Sequence, residues 1–394
     1  MKPLKDIVVL DLTRVLAGPY CAMVLADYGC DVVKIEPPGE GDDSRAFGPF
    51  VGQESAYFMS LNRNKRSMTL NLKKQEARDL FKEMVKKADV VLENYRPGTM
   101  EKFGLGYDEL KTVNPQIIYA ACSGFGHTGP YAQKPGYDIL AQAMGGIMSI
   151  TGPEGGEPVR VGASIGDIIA GLFTAIGVLM ALHHRTVTGE GQKIDVSMLD
   201  SQVAILENAI ARYFVSGSAP KPLGTRHPSI TPFDAFKSKD GSIIVGAGND
   251  RLWEKLCDII GCPELKADER FKSNSQRTQN FQELYPYLND AFRAKTTAEW
   301  IIDLEAAGIP CGPINPIDKV VADPQVLCRE MIVETDHPVA GPVKMAGVPI
   351  KMSATPGGVD KPAPTLGQHS AEILRELLGL KPEEIENLRK RQVL

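Results

Sequence analysis

Short β-branched runs recur along the first two hundred residues, alternating with segments of helical pattern, and no other feature narrows the fold as far. IVVLDL (7–12), DVVKIE (31–36), SMTLNL (67–72), DVVLEN (89–94), QIIYAACSG (116–124) and QKIDVSM (192–198) read as strands. Pro19 opens and Gly29 closes a helix through YCAMVLADY, and a second helix covers Glu76 to Lys87. This alternation builds βαβ units around a mostly parallel sheet, so the fold class is α/β with a Rossmann-like, doubly wound large domain.

At 394 residues the chain is long enough for two or three folding units. The large domain is expected over 1–200, a linker over 201–224, a smaller α+β domain over 225–318, and a C-terminal segment, 319–394, that returns to the large domain. Gly191 to Gly224 contains a long helix with loop-like ends. PFDAFKSKDGSIIVGAG (232–248) reads as a β-hairpin with Asp240 and Gly241 in its turn. A Pro-rich tail with short strands begins near Ile314, and a charged helix starts at Ser370.

The balance of 44 basic against 49 acidic residues, a net charge of −5, argues against a nucleic-acid partner bound through bulk phosphate neutralisation. The N-terminal apolar run is six residues and contains an acid, so neither a signal peptide nor a spanning helix is expected there; no later window reads as long and charge-free enough to cross a bilayer, and no membrane partner is expected. The seven cysteines are scattered, with no CxxC and no His pair at zinc spacing. They read as buried thiols of a cytoplasmic protein, with no metal.

The first βα turn, Asp11 to Pro19, lacks GxGxxG, which speaks against a nicotinamide or flavin enzyme. Residues 62–102 hold eleven basic residues against six acids, a segment that would draw an anionic ligand or simply form a solvated face. Asp167, in Gly-Ala-Ser-Ile-Gly-Asp, stands at the start of the apolar helix IIAGLFTAIGVLMALHHR. It reads either as a plain N-cap or as a functional carboxylate at a buried, glycine-lined junction.

VLDLTRVLAGPY (9–20), VVKIEPPGEGDDSR (32–45), NRNKRSMTLNLK (62–73), ADVVLENYRPGTMEKFGL (88–105), GYDILAQA (136–143), GASIGD (162–167), TGEGQKIDVSMLDS (188–201) and GIPCGPIN (308–315) together resemble the class III CoA-transferases. That group contains formyl-CoA transferase and the succinyl-CoA:glutarate enzyme, and the chain looks closest to the latter. The resemblance implies that Asp167 is a nucleophile forming an aspartyl-CoA thioester. It implies coenzyme A contacts from Val15, Leu16, Leu70, Lys73, Asn94, Tyr95 and Lys102, with the basic segment holding the phosphates. Arg45, His127, Tyr137, Arg226 and His227 are expected at the substrate, His127 having loop packing as its alternative, and Asp138 is expected to orient a neighbour. CoA thioesters are then substrates and no cofactor is permanently bound; the partners are an acyl-CoA and a free carboxylic acid.

Leu16 stands where the formyl-CoA enzyme has glutamine, Pro37 where it has arginine, and its glycine-rich flap has no counterpart at Gly224 to Ser229. Succinyl-CoA with a dicarboxylate such as glutarate is the expected pair, with an acetyl-CoA or formyl-CoA:oxalate type as the alternative. The related α-methylacyl-CoA racemases have a histidine where this chain has Tyr137, and a tyrosine suits proton abstraction poorly. The family further implies an interlocked homodimer.

Overall fold

The computed structural model describes residues 2–394. It divides into two compact units, one of the described residues up to Met148 with Arg160–Gly217 and Pro324–Leu394, the other of Ser149–Val159 and Ser218–Asp323.

In the larger unit β1 (Val8–Asp11), β2 (Asp31–Glu36), β3 (Arg66–Thr69), β4 (Val90–Glu93), β5 (Ile118–Ser123) and β6 (Lys193–Ser197) form one sheet in the order β3-β2-β1-β4-β5-β6. Every pairing is parallel, with Val9 registered on Val32 and on Val90. Successive side chains leave a strand on opposite faces. Leu10, Val33 and Val91 therefore enter one core with Phe81 and Met84, while Val9, Val32 and Val90 enter another with Cys21, Leu25 and Val178. Burial on both faces is what made the strands legible as nearly unbroken apolar runs.

The helices of this unit are α1 (Ala17–Asp27), α2 (Gln75–Val85), α3 (Asp138–Met144), α4 (Ile165–Thr188), α5 (Met198–Ala204) and α6 (Asn208–Ser216). Helix α1 begins two residues before Pro19, because first-turn positions need no N–H partner and tolerate the ring. The long helix expected between 191 and 224 is two, interrupted at Glu207, whose φ of +53° breaks the ladder.

One sequence expectation fails outright. Helix α4, at 24 residues with an 18-residue window of mean hydropathy 2.1, is long and apolar enough to cross a membrane by length and composition. Ala170, Thr174, Ala175, Val178 and Ala181 of this helix are buried. A Cβ on Gly171 would stand 2.5 Å from the Ala17 carbonyl oxygen, so α4 approaches α1 as closely as glycine alone permits. Phe173, Ile176, Leu179 and Met180 remain exposed.

The smaller unit holds a three-stranded antiparallel sheet of β7 (Phe233–Lys237), β8 (Ser242–Gly246) and β9 (Cys311–Pro313), with α7 (Asp250–Ile259), α8 (Phe281–Phe292) and α9 (Thr297–Ala306). Strands β7 and β8 form the hairpin around Asp240 and Gly241. Its core stacks Phe236 on Phe292 at 5.0 Å and sets Trp300 edge-on to Phe292 at 5.1 Å. Ser149–Val159, which the sequence reading puts in the large domain, belongs here: Gly224 N–H donates to the Gly152 carbonyl at 2.9 Å and Arg226 pairs with Glu154.

The tail forms a hairpin of β10 (Ile332–His337) and β11 (Gly341–Ala346), then α10 (Ser370–Leu378) and α11 (Pro382–Lys390). Ile373, Leu374, Ile385 and Leu388 fill the first core of the larger unit.

Candidate active site

The strand order reverses between β1 and β4, and in open α/β sheets ligands bind beyond the carboxyl ends of the strands at that reversal. A cleft of about 230 Å³ lies there, lined by Arg14 to Ala17 after β1, Asn94 to Pro97 after β4, Ser123 to Phe125 after β5, Lys134 to Tyr137 before α3, and Asp167 of α4.

Asp167 is not the cap of its helix. The cap position is Ser164, whose side chain makes no capping bond, and Asp167 is the third helical residue. The cap comes from another helix: Asp138 Oδ1 accepts from Gly166 N–H at 2.8 Å and from Asp167 N–H at 3.4 Å. Gly166 makes this possible, since a Cβ there would sit 2.9 Å from Asp138 Oδ1. Gln142 Nε2 donates to Asp138 Oδ2 at 2.7 Å, and Gln142 Oε1 accepts from Val161 N–H at 2.9 Å, so the capping carboxylate is itself held. The expected role of Asp138 in orienting a neighbour thus has a concrete form.

Burial, and then the Asp138 charge, push the Asp167 carboxyl up to about 7. The Asp167 charge also acts on Tyr57: burial first, then that charge, push its phenol up to about 12. A carboxylate with this basicity is a stronger nucleophile than an ordinary aspartate once ionised. The first turn of α4 does not supply donors for a developing oxyanion, because Ile165 N–H is taken by Ala163 O, Gly166 and Asp167 N–H by Asp138, and Ile168 N–H by Ser164 O.

Of the residues assigned from sequence, Val15, Leu16, Asn94, Tyr95, Tyr137 and Asp167 meet in this one cleft. Leu70 is buried in the first core; Lys73 and Lys102 are exposed outside the lining. Arg45 is engaged by Glu36 through two bonds of 2.7 and 2.8 Å and lies over the Phe58 ring at 3.7 Å. His127 is not in the lining; its Nδ1 lies 3.1 Å from Lys193 Nζ and its Nε2 3.6 Å from Glu93 Oε1. Arg226 and His227 belong to the smaller unit. There Arg226 bonds Glu154 at 3.0 Å, covers Phe281 at 4.3 Å and lines a cavity of about 280 Å³ with Asp234 and Tyr285, while His227 packs edge-on to Phe233.

The basic segment is not a free cationic surface. Arg63, Lys65 and Arg66 are buried in ion pairs with Asp27, Asp11 and Asp31. Sequence reasoning missed Arg14 and Lys134 as cleft residues and did not single out Arg96. Arg14 pairs with Asp43 at 3.1 Å and covers Tyr95 at 5.4 Å. The available signal was position: Arg14 and Arg96 each stand three residues beyond the end of a strand, and those two strands are neighbours at the reversal. Among the described residues no group of three or more His, Cys, Asp or Glu is placed to hold a metal ion.

Residues 4–370 match the family model described as CoA-transferase family III. The chain belongs to this family. It is 43% identical over 379 residues to the human succinyl-CoA:glutarate CoA-transferase, covering 96% of this chain and 86% of that one. It is also 43% identical over 376 residues to the acetyl-CoA:oxalate CoA-transferase of Acetobacter aceti, covering 95% of each. Among solved structures it resembles a CAIB/BAIF family protein from Brucella suis, with a TM-score of 0.85 at 40% identity over 95% of this chain and 99% of that one. The family III protein described here is therefore an enzyme that transfers CoA, acting on an acyl-CoA and a carboxylate.

Proposed function

We propose that this transferase moves CoA from succinyl-CoA to a dicarboxylic acid such as glutarate, through a covalent aspartyl-CoA thioester on Asp167. The observation that carries the reading is the Asp167 carboxylate, which stands in the wall of the cleft and is made basic by burial and by Asp138. Ionised Asp167 attacks the thioester carbonyl and expels CoA thiolate, leaving a mixed anhydride. The thiolate then attacks the aspartyl carbonyl of that anhydride, giving the aspartyl-CoA thioester and the free donor acid. The acceptor carboxylate attacks the thioester, and the released thiolate attacks the acceptor carbonyl of the second anhydride. The products are the new acyl-CoA and regenerated Asp167 carboxylate, so one hard transfer becomes several easier ones.

The cleft of about 230 Å³ suits the reacting end of the thioester. Ligand sites of roughly 300–1,000 Å³ hold whole cofactors, so the nucleotide end would run outside it, past the Val15–Leu16 and Asn94–Tyr95 walls and the cations Arg14, Arg96 and Lys134. A dicarboxylate acceptor is supported by the names of the two relatives, which differ in donor but both specify a diacid acceptor. The oxalate-type reaction is the second reading, on the equal 43% identity. The exposed apolar side chains of α4, with Tyr213, Phe214 and Val215 of α6, support a homodimer that covers them.

Mixing the enzyme with a panel of acyl-CoAs and mapping the adduct by mass spectrometry tests this. The expected result is CoA mass on the peptide bearing Asp167, with succinyl-CoA the best donor. An adduct elsewhere, or transfer to monocarboxylates in preference to diacids, would overturn the assignment.

A further inference from the structure

The turn between β1 and α1 forms one wall of the cleft, and its conformation is one the chain would not choose. Val15 has a φ of +66°. That left-handed region is uncommon for any residue but glycine and is an outlier for a β-branched one. Such a conformation persists only where its surroundings over-determine it, and it marks functional turns.

The surroundings here are side chains. Thr13 N–H donates to Asp11 Oδ1 at 2.9 Å, and the Thr13 carbonyl accepts from Lys34 Nζ at 2.9 Å. Asn94 reaches across from the end of β4, accepting from Arg14 N–H at 2.8 Å and donating to the Arg14 carbonyl at 2.7 Å. Val15 N–H donates to Asp42 Oδ1 at 3.0 Å. Five consecutive backbone groups, from Thr13 N–H to Val15 N–H, are thus held by side chains from four different places in the sequence.

Two of the holders form a pair. Lys34 Nζ lies 2.7 Å from Asp42 Oδ2, with side chains 0% and 1% exposed. Asp42 is aimed by Ser44, whose N–H and hydroxyl donate to Oδ1 at 2.9 and 2.7 Å, and by Glu36, which accepts from Asp42 N–H at 3.0 Å. Neither Lys34 nor Asp42 lines the cleft. A buried ion pair of this kind is weak evidence for stability, since its desolvation offsets most of its attraction. A role in fixing one backbone geometry accounts for it better.

We propose that the buried Lys34–Asp42 pair is a positioning device that holds Val15 in its left-handed conformation before any ligand arrives, presetting the Val15–Leu16 wall for acyl-CoA. The proposal rests on reading this cleft as the CoA site. Lys34 and Asp42 are positioning residues and touch no reacting atom. Presetting removes an ordering cost from binding, so its loss appears in affinity rather than in the chemical step.

The test measures CoA affinity by calorimetry, and KM and kcat for acyl-CoA, on full-length wild type, Asp42→Ala and the double variant Asp42→Ala with Val15→Gly. Asp42→Ala is expected to weaken CoA binding and raise KM about tenfold, with kcat changed less than about threefold. Glycine adopts a φ of +66° without steric cost, so the double variant should bind CoA at least threefold more tightly than Asp42→Ala. A merely structural role predicts the reverse, because glycine loosens the turn further. If Asp42→Ala does not fold, Lys34→Met with Asp42→Ala, which leaves no unpaired buried charge, takes its place with the same expectation. Wild-type binding with no loss in the Asp42 variant, or no recovery with glycine, would overturn this proposal alone. Absence of CoA binding by the wild type would overturn the CoA-site reading and this proposal with it.

Discussion

Replacing Asp167 by asparagine keeps the shape of the side chain and removes its negative charge, so it separates two consequences of the same buried carboxyl. The first is chemical: without the nucleophile, transfer should fall by about 10³-fold or more. The second concerns stability. The carboxyl rises from 3.8 to about 7 on folding, burial being the larger cause and Asp138 the second. A group whose folded value is raised contributes stability that is fully present below the unfolded value and is lost as pH rises through the folded one. The window is therefore pH 4 to 7, and above it the folded protein carries a buried ionised carboxylate. After discounting for solvent that reaches the side chain, wild type should lose about 2 kcal/mol between pH 5 and pH 8 that the asparagine variant keeps. At roughly 2–4 °C per kcal/mol, the melting temperature of the variant should exceed that of wild type by several degrees more at pH 8 than at pH 5. Paired thermal scans at the two pH values and a transfer assay suffice. More than a tenth of wild-type turnover in the variant, or a stability gap that does not change with pH, would refute the reasoning.

Further outcomes follow from the same geometry. The rate of transfer at limiting acyl-CoA should rise with pH through about 7 as Asp167 ionises, and Asp138→Asn should move that limb to lower pH by about one unit; a pH profile of kcat/KM checks both. Burial pushes Glu93 from 4.5 up to about 7, so Glu93→Gln should stabilise the protein at pH 8 by about 1–3 kcal/mol and do nothing at pH 4, read from urea midpoints. Gly171→Val forces a Cβ to within 2.5 Å of the Ala17 carbonyl, so it should cost about 2 kcal/mol or more and weaken CoA binding by displacing α1. In the smaller unit the guanidinium of Arg277 donates to the Thr231, Phe271 and Gly248 carbonyls and is 0% exposed, and Arg277→Ala should destabilise by about 3 kcal/mol or more in a urea melt.

The elements that position the cleft were readable because each is specified within a few neighbouring residues. The alternation Val9-Leu10, Val32-Val33, Val90-Val91 feeds two cores, so the runs stay apolar throughout and stand out from the polar helices between them. The hairpin at Asp240 and Gly241 is equally local. The candidate site was partly readable: Val15, Leu16, Asn94, Tyr95, Tyr137 and Asp167 converge, whereas Leu70 is packed in the core. Lys73 and Lys102, which the family resemblance implies as CoA contacts, are exposed and lie outside the lining of this cleft. The sequence reading passed over α4, whose apolar 18-residue window has a mean hydropathy of 2.1. A helix packed on a neighbour through Ala, Thr and Gly keeps large apolar groups on its other side, and composition does not separate those two faces.

What the sequence by itself determined is the αβ alternation, the absence of a glycine-rich dinucleotide turn, and the place of Asp167 at the start of an apolar helix. Only the tertiary structure decided which charges are spent on the fold and which face the cleft. Lys65 meets Asp11 across 54 residues and Arg66 meets Glu372 across 306, so two of the basic residues that look like an anion site are internal struts. The same holds for the carboxylates: Asp138 caps the helix of Asp167 from 28 residues away and Asp42 holds Val15 from 27. Periodicity reports geometry that repeats along one backbone, but an ion pair depends on where the chain returns, and that is set by the packing of the whole sheet.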